Sequence, residues 1–565
     1  MLYLYCVKVN VRKTQRHVYM QIKKIGEMMI MGNYVNPSVR KFQVSSKSKI
    51  YVDKSSLIAE TNDVFDTEQR FICVSRPRRF GKTMAANMLA AYYRYGTDSS
   101  RLFENLAIAN HPSYEEHLNK HDVIMVNMQE FMSNAKAEAK EEGKDLTVTA
   151  MLKMLKSTIT EELEKEHPDV KYEDTEDFIR VMKETYHATD KPFVILIDEW
   201  DCLFREYKND IDAQKDYLEF LRLWLKDQMY IGLAYMTGIL PIKKYGTHSA
   251  LNMFDEYSMT DPDPFIDYFG FTGEEVEQLS DRFGMVMEEV KEWYNGYFVE
   301  LGSPIYNPKS VVSCMRRKRI GNYWNKTETF EALKEYIVFD FAGLQEKVAG
   351  LIAGARIPAN PDKFANDMST FNSIDDVFAL LIHLGYLSYC RESRTVRIPN
   401  EEVKCEFINS IEDLEDWGTV VNAIRLSKNL LQAIWDMEAD VVAEGIGKVH
   451  EQNTSILQYN NENSLSSVIS LALYTANNYY TVIRELPSGK GYADLVFIPK
   501  QKHADKPAMV VELKWDETVE GAISQIKERN YISALDGYHG NLLLVGVNYE
   551  KESKIHQCII ETLDV

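Results

Sequence analysis

The chain has 565 residues, 45% of them hydrophobic and 27% charged, and a formal net charge of -20 at pH 7. That length is too great for one core and sets an expectation of about three or four globular domains. The acidic balance excludes a surface coated in basic residues for non-specific nucleic-acid binding, and leaves room only for a local basic groove.

Residues 1–35 read as an N-terminal extension, whose first thirty residues alternate basic and apolar positions without the apolar core and small-residue cleavage site of a secretory leader. The cluster Met28-Met29-Ile30-Met31 offers an alternative natural start. Seven cysteines lie scattered with no Cys-x-x-Cys pair, which suggests neither a disulfide framework nor a zinc site. No apolar run approaches a membrane span. The expected compartment is the reducing cytoplasm, with no membrane partner.

From Tyr51 short apolar segments alternate with helical ones. Strands are expected at Arg70–Ser75, Asp122–Asn127, Phe193–Ile197 and Tyr230–Gly238, with helices at Thr83–Tyr95 and Gln214–Gln228. Strands that are apolar without alternation, separated by helices, fit a parallel sheet buried on both faces. Residues 36–262 therefore read as one α/β domain.

Within it, Ser75-Arg-Pro-Arg-Arg-Phe-Gly-Lys-Thr83 has the composition of a phosphate-cradling loop between a strand and a helix. Gly81 lets the backbone approach an anion, Lys82 supplies charge for the β and γ phosphates, and Thr83 a hydroxyl for magnesium. Arg76 stands where such a loop has its first glycine. Arg76, Arg78 and Arg79 either face phosphate or form a solvated basic turn. Phe193-Val-Ile-Leu-Ile-Asp198-Glu199 is a buried strand ending in two carboxylates. Asp198 is placed to hold magnesium through water, and Glu199 to polarise an attacking water. Thr237, at the tip of the next strand, reads as a γ-phosphate sensor or as part of a simple turn.

Residues 263–345 are helix-rich and lid-like, with a helix start at Thr272-Gly-Glu-Glu275. Residues 346–445 continue helically and then give strands at Tyr386–Tyr389 and Thr395–Pro399, a helix-plus-hairpin, winged-helix-like module. From 446 a new order begins: helix Glu462–Tyr474, strand Tyr480–Leu486, hairpin Asp494–Trp515, helix Thr518–Leu535 and strand Asn541–Val547.

In Met509-Val-Val-Glu-Leu-Lys-Trp515 the side chains alternate, so Glu512 and Lys514 share a face. A hairpin symmetric about His503 sets Asp494 opposite Glu512, about 5 Å apart and able to share a cation. Lys514 beside them can orient a water. Glu462 would add a carboxylate, and Gln525 a polar contact to water or phosphate. The other reading of Glu-x-Lys on a strand is a cross-strand salt-bridge face. Gly489-Lys-Gly-Tyr492 reads as an open loop admitting a phosphodiester or as a plain turn.

With Tyr51-Val-Asp-Lys54, Arg76–Thr83, Asp198-Glu-Trp-Asp201, Trp293-Tyr-Asn-Gly-Tyr297 and Tyr306-Asn-Pro308 in view, the chain resembles the bacterial and archaeal AAA-ATPase-like family fused to a C-terminal PD-(D/E)xK nuclease. The resemblance makes Arg76 for glycine a family trait. It implies a P-loop NTPase sheet with Walker A and Walker B motifs, followed by a restriction-endonuclease-like α/β domain at 446–565. Arg78, Arg79, Phe80, Gly81, Lys82, Thr83 and Thr237 would then contact ATP, and Thr83 and Asp198 magnesium. Glu462, Asp494 and Glu512 would hold the nuclease metal, with Asp494, Glu512 and Lys514 in catalysis and Glu199 catalytic in the ATPase. Gln525 and Tyr531 resemble the superfamily's trailing helix at a longer spacing. The function implied is ATP binding and hydrolysis coupled to magnesium-dependent cleavage of DNA, in defence or mobile-element biology. The second reading is a nucleotide-dependent switch whose nuclease-like domain binds nucleic acid or a protein partner without cutting. A homo-oligomer stays open, and a helicase or translocase is disfavoured by the lack of further motor motifs after Thr237.

Overall fold

A computed structural model of the chain describes residues 32–565 apart from 142, 144–146, 243–250, 299–301, 303, 325–328, 340, 342, 365–370, 413, 415–416, 454–467, 489–490, 501–502, 529–540 and 565. Two compact units emerge. One joins residues up to Ile320 with Asn360–Arg391, and the other joins Gly321–Ala359 with Glu392–Val565. The stretch 346–445, expected as one module, thus contributes to both.

In the first unit, strands β1 (Phe71–Ser75), β2 (Val123–Asn127), β3 (Phe193–Asp198), β4 (Ile231–Gly238) and β5 (Asp255–Tyr257) form one sheet in the order β2-β3-β4-β1-β5. Every neighbouring pair is parallel, as the uninterrupted apolar strands require. β5 was not foreseen, because Asp-Glu-Tyr carries no apolar run. The strand that feeds the phosphate loop, β1, is separated by β4 from the strand ending in Asp198. Helix α1 (Lys82–Tyr93) follows the loop and buries Ala86, Leu89, Tyr92 and Tyr93. These pack with Ile72, Val74, Leu196 and Tyr235 into one core.

The outer edge of β2 is covered rather than left open. Asn36 donates its backbone N–H to Val123 O, and Met125 donates to Tyr34 O. Glu162 holds the same segment by accepting from the backbone of Asn33, Tyr34 and Val35 at 2.8–2.9 Å. Residues 1–31 and the alternative start lie outside the described residues.

The helix expected from Thr272 spans Gly273–Phe283 with both arms of a capping box. Thr272 Oγ1 accepts from Glu275 N, and Glu275 Oε2 accepts from Thr272 N. Lys54 secures that cap, donating to both carboxylate oxygens of Glu275 at 2.6 and 2.7 Å and to Asp267 O. Asn307 caps the helix α2 (Pro308–Arg317) by accepting from Lys309 N and Ser310 N.

In the second unit, β6 (Tyr480–Ser488), β7 (Gly491–Pro499), β8 (Ala508–Trp515), β9 (Asn541–Glu550) and β10 (Ile555–Asp564) form a mixed sheet in sequence order. Only β8 and β9 run parallel, and helix α3 (Val519–Glu528) connects the way between them. β6 and β7 pair down to Ser488 and Gly491, so Gly491 and Tyr492 belong to a strand of a tight hairpin and not to an open loop. Among the described residues no helix is long and apolar enough to cross a membrane.

Histidines are buried in both units. His121 is 9% exposed, sits 3.1 Å from His117 (Nε2 to Nδ1) and packs on Phe65. Desolvation, with help from His117, lowers its pKa from 6.5 to about 4. The unfolded chain therefore takes up a proton first as pH falls, and folding stability present above pH 6.5 is lost between there and about pH 4. The loss attributable to this residue is about 3 kcal/mol. Protection factors of backbone amides across Tyr92–Asp122, taken relative to intrinsic exchange at each pH, should fall in that window, and His121→Phe should flatten the dependence. His450 and His556, 3.1 Å apart and each lowered to about 4, set the same window for the second unit.

Candidate functional site

The loop between β1 and α1 is shaped by two left-handed residues, Arg79 at φ 73 and Gly81 at φ 97. A Cβ on Gly81 would meet nothing within 4 Å, so its backbone angle and not crowding demands glycine. Lys82 opens α1, is 5% exposed, and donates Nζ to the loop's own carbonyls, Arg76 O at 2.9 Å and Pro77 O at 3.0 Å. Burial pushes its pKa down, while Glu199 and Asp198 act in the opposite direction.

Arg76 points away from the loop mouth. It is fully buried, donating Nη1 to Ser75 O at 2.9 Å and Tyr257 O at 2.8 Å and Nη2 to Pro262 O at 3.4 Å. Phe269 and Phe298 cover it with ring centroids 5.6 Å from Cζ. Desolvation lowers its pKa to about 9, which still leaves it charged at neutral pH. Of the three arginines it is therefore the one that anchors the loop from beneath, while Arg78 and Arg79 line the cavity above.

Three strand ends meet under the loop. The parallel register aligns Asn127 with Asp198 and Asp198 with Thr237. Asp198 is 1% exposed, and three side chains donate to it: Thr83 Oγ1 at 2.8 Å and Asn127 Nδ2 at 3.1 Å to Oδ2, and Thr237 Oγ1 at 2.6 Å to Oδ1. The motif reading missed Asn127. Its signal was a polar residue closing an otherwise apolar strand. Gly238 leaves room for Trp200, whose Nε1 would lie 2.6 Å from a Cβ there.

Arg78, Arg79, Phe80, Gly81, Lys82, Thr83 and Glu199 line one cavity of about 730 Å³. Lys49, Lys54, Lys309 and Arg316 add cations to its wall, and Glu199 is the one acid among the described lining residues. Phe42, Ile50, Met88, Phe271 and Val312 give it an apolar side. A polyanion carrying a planar apolar group fits that division. The hard oxygens of Thr83 and Asp198, bonded to one another beside Lys82, are the donor type that magnesium takes.

In the second unit the hairpin register pairs Leu495 with Val511, Val496 with Val510 and Phe497 with Met509. It is symmetric about His503, and the pairing ends at Leu495 and Val511, the residues next to Asp494 and Glu512. Asp494 Oδ2 accepts the backbone N–H of Leu513 at 2.7 Å. Glu512 is 1% exposed, and Lys514 Nζ stands 4.0 Å from its Oε1. Gln525 on α3 accepts from Lys514 Nζ at 2.7 Å. Glu462 and Tyr531 lie outside the described residues. Among the described residues no group of three or more His, Cys, Asp or Glu converges as a metal site. Asp494 and Glu512 carry carboxylate oxygens, the donor type that magnesium takes.

A family described as Predicted AAA-ATPase, AAA-ATPase-like, matches residues 38–247, and the PD-(D/E)XK nuclease superfamily matches residues 460–558. The chain thus carries an AAA-ATPase-like domain followed by a PD-(D/E)XK nuclease superfamily domain, with the parallel and mixed sheets those folds need. A curated relative, the "Uncharacterized protein in vnfD 5'region" of Azotobacter chroococcum mcd 1, is 24% identical over 374 residues, 63% of this chain. The match spans 64% of that relative's length. The Aeropyrum pernix ORC1 protein, solved in complex with DNA, aligns with 65% of this chain and 94% of its own at 11% identity and a TM-score of 0.21.

Removing Arg76 takes a charged donor from the carbonyls of Ser75, Tyr257 and Pro262, the last of which keeps the N–H of Phe265, and opens space between two rings. Arg76→Ala should cost about 3 kcal/mol in chemical denaturation of the first unit. It should also weaken ATP binding at least about tenfold by calorimetry, through the loop it supports.

Proposed function

We propose that the first unit binds and hydrolyses ATP with magnesium, and that the C-terminal domain is a magnesium-dependent nuclease acting on DNA. The observation that carries the nucleotide half is the row Asn127, Asp198 and Thr237 tied to Thr83 beside Lys82. A phosphate loop, a buried lysine and a carboxylate on a neighbouring strand end are the parts that triphosphate chemistry needs.

In this reading Gly81 and the N-terminus of α1 present backbone N–H groups to the phosphates. Lys82 exchanges its carbonyl partners for phosphate oxygens, and Thr83 and Asp198 hold the magnesium ion. That ion would supply charge neutralisation on the β and γ oxygens. Thr237 and Asn127 keep the Asp198 carboxylate oriented. Glu199 orients the attacking water. The apolar wall near Phe42 and Ile50 takes the base.

In the C-terminal domain, Asp494 and Glu512 would hold magnesium, which would supply Lewis-acid activation of a phosphodiester. Lys514 is oriented by Gln525 and places its charge beside the two carboxylates. The second reading, binding without cleavage, is favoured by that same engagement of Lys514, whose ammonium is already committed to Gln525. The setting in defence or mobile-element biology, the cytoplasmic location and assembly with a second copy or a protein partner belong to the proposal on the strength of the family alone.

Lys82→Ala should abolish tight ATP binding, and unchanged affinity by calorimetry would remove the first site from the proposal. Asp494→Ala should eliminate magnesium-dependent cleavage of linear and circular DNA while ATP turnover stays at the wild-type level. Wild-type protein that retains DNA in a gel shift but never cuts it, with magnesium and ATP present, would establish the second reading instead.

A further inference from the structure

Beside Asp198 lies a second set of charges that triphosphate binding does not use. Glu199 reaches the cavity wall from a left-handed backbone, φ 55, and its carboxylate accepts from Arg205 Nη2. Arg205 sits on the short helix Cys202–Glu206 and is 10% exposed at its side chain. Its Nε donates at 3.1 Å to Asp201 Oδ2. Asp201 is fully buried, and that same oxygen accepts the backbone N–H of Ile239 at 3.0 Å and of Leu240 at 2.8 Å. Ile239 and Leu240 follow Thr237 after Gly238, and Thr237 donates to Asp198.

We infer that Arg205 is a positioning residue that holds Glu199 in a resting pose, so that turnover requires this ion pair to loosen. The inference rests on the proposed role of Glu199 toward the attacking water. The lone pairs that the Glu199 carboxylate gives to Arg205 are withdrawn from water. Arg205 is not among the residues lining the cavity, so it acts on a bound nucleotide through Glu199. Burial by itself would lower the Arg205 pKa, yet Asp201 and Glu199 together carry it above its ordinary value. The guanidinium therefore stays charged, and only geometry can free Glu199.

The geometry has a route. Asp201 is tied to the turn at Ile239 and Leu240, and that turn ends the strand whose Thr237 touches Asp198. A shift of residues 237–240 against the phosphates would move Asp201, and with it the arginine that Asp201 shares with Glu199. The left-handed backbone of Glu199 holds a non-glycine residue in a sparsely populated conformation, as strained site residues are. Relaxing it swings the carboxylate relative to Arg205.

The test compares full-length wild type, Arg205→Met, Arg205→Lys, Glu199→Gln and the double variant Arg205→Met/Glu199→Gln. Steady-state ATP hydrolysis gives kcat and KM separately, and calorimetry gives ATP affinity. Arg205→Met should raise kcat about threefold or more with KM within about a factor of two, and Arg205→Lys should fall between it and wild type. In the Glu199→Gln background the Met substitution should change nothing. A fall in kcat of about tenfold with KM unchanged, or the same change with and without Glu199, overturns the inference. Should Arg205→Met fail to fold, Arg205→Lys decides, since it keeps a cation beside Asp201. Bound ATP with equal turnover in every Arg205 variant sinks the inference alone. No ATP binding by wild type sinks the nucleotide reading and the inference together.

Discussion

The first unit depends on one buried cation. Arg76 stands where a phosphate loop has a glycine, and it solves a problem that the glycine would leave open. With three carbonyls of Ser75, Tyr257 and Pro262 around it and two aromatic faces over it, the guanidinium fastens β1, β5 and the segment after β5 to each other. Its five N–H groups on a planar fork suit several carbonyls at once, which a lysine could not do. The loop above is then held from below, and its mouth is free to be lined by Arg78, Arg79, Gly81 and Lys82.

On that base the geometry of the strand-end cluster follows from parallel pairing. Parallel strands end on the same side of a sheet, so the last residues of β2 and β3 and the penultimate residue of β4 fall into one row. Asn127, Asp198 and Thr237 occupy it, and Thr83 reaches across from α1 as the third donor to the Asp198 carboxylate. A carboxylate satisfied by three donors keeps a fixed orientation. This is the preorganisation that a metal ligand needs. Glu199, one residue further, leaves the strand through a left-handed turn and faces the cavity.

Much of this was legible in the residues. The strands β1 to β4 announce themselves as uninterrupted apolar runs, and Gly81-Lys82-Thr83 and Asp198-Glu199 carry their chemistry in their identity. The hairpin symmetric about His503 follows from counting. What was not legible depends on contacts far apart in the chain. The role of Arg76 required knowing where Phe269 and Phe298 go. Lys54 is one letter of a motif until it meets Glu275, 221 residues away. Asn127 and Arg205 lie outside any recognisable string, and their partners are set by register and by one helical turn. The module expected at 346–445 divides between two units, because local periodicity shows helices and not which core they bury against.

The resting state of Lys82 bears on how such a site binds. Its ammonium is buried and already satisfied by Arg76 O and Pro77 O, so a phosphate does not rescue a stranded charge; it replaces two carbonyls. The gain from that exchange is the difference between a charge-assisted bond to phosphate and two bonds to carbonyls, well below the gross strength of either. Much of the affinity must therefore come from elsewhere in the cavity: the backbone N–H groups at the start of α1, the further cations on the wall, and the apolar side. The lysine bonds also close the loop on itself before ligand arrives, which lowers the ordering cost of binding. A cation resting on its own loop and a carboxylate resting on its own arginine are the same device applied to opposite charges. Each group rests in a satisfied pose, and under the proposed function a triphosphate would displace the first before geometry released the second.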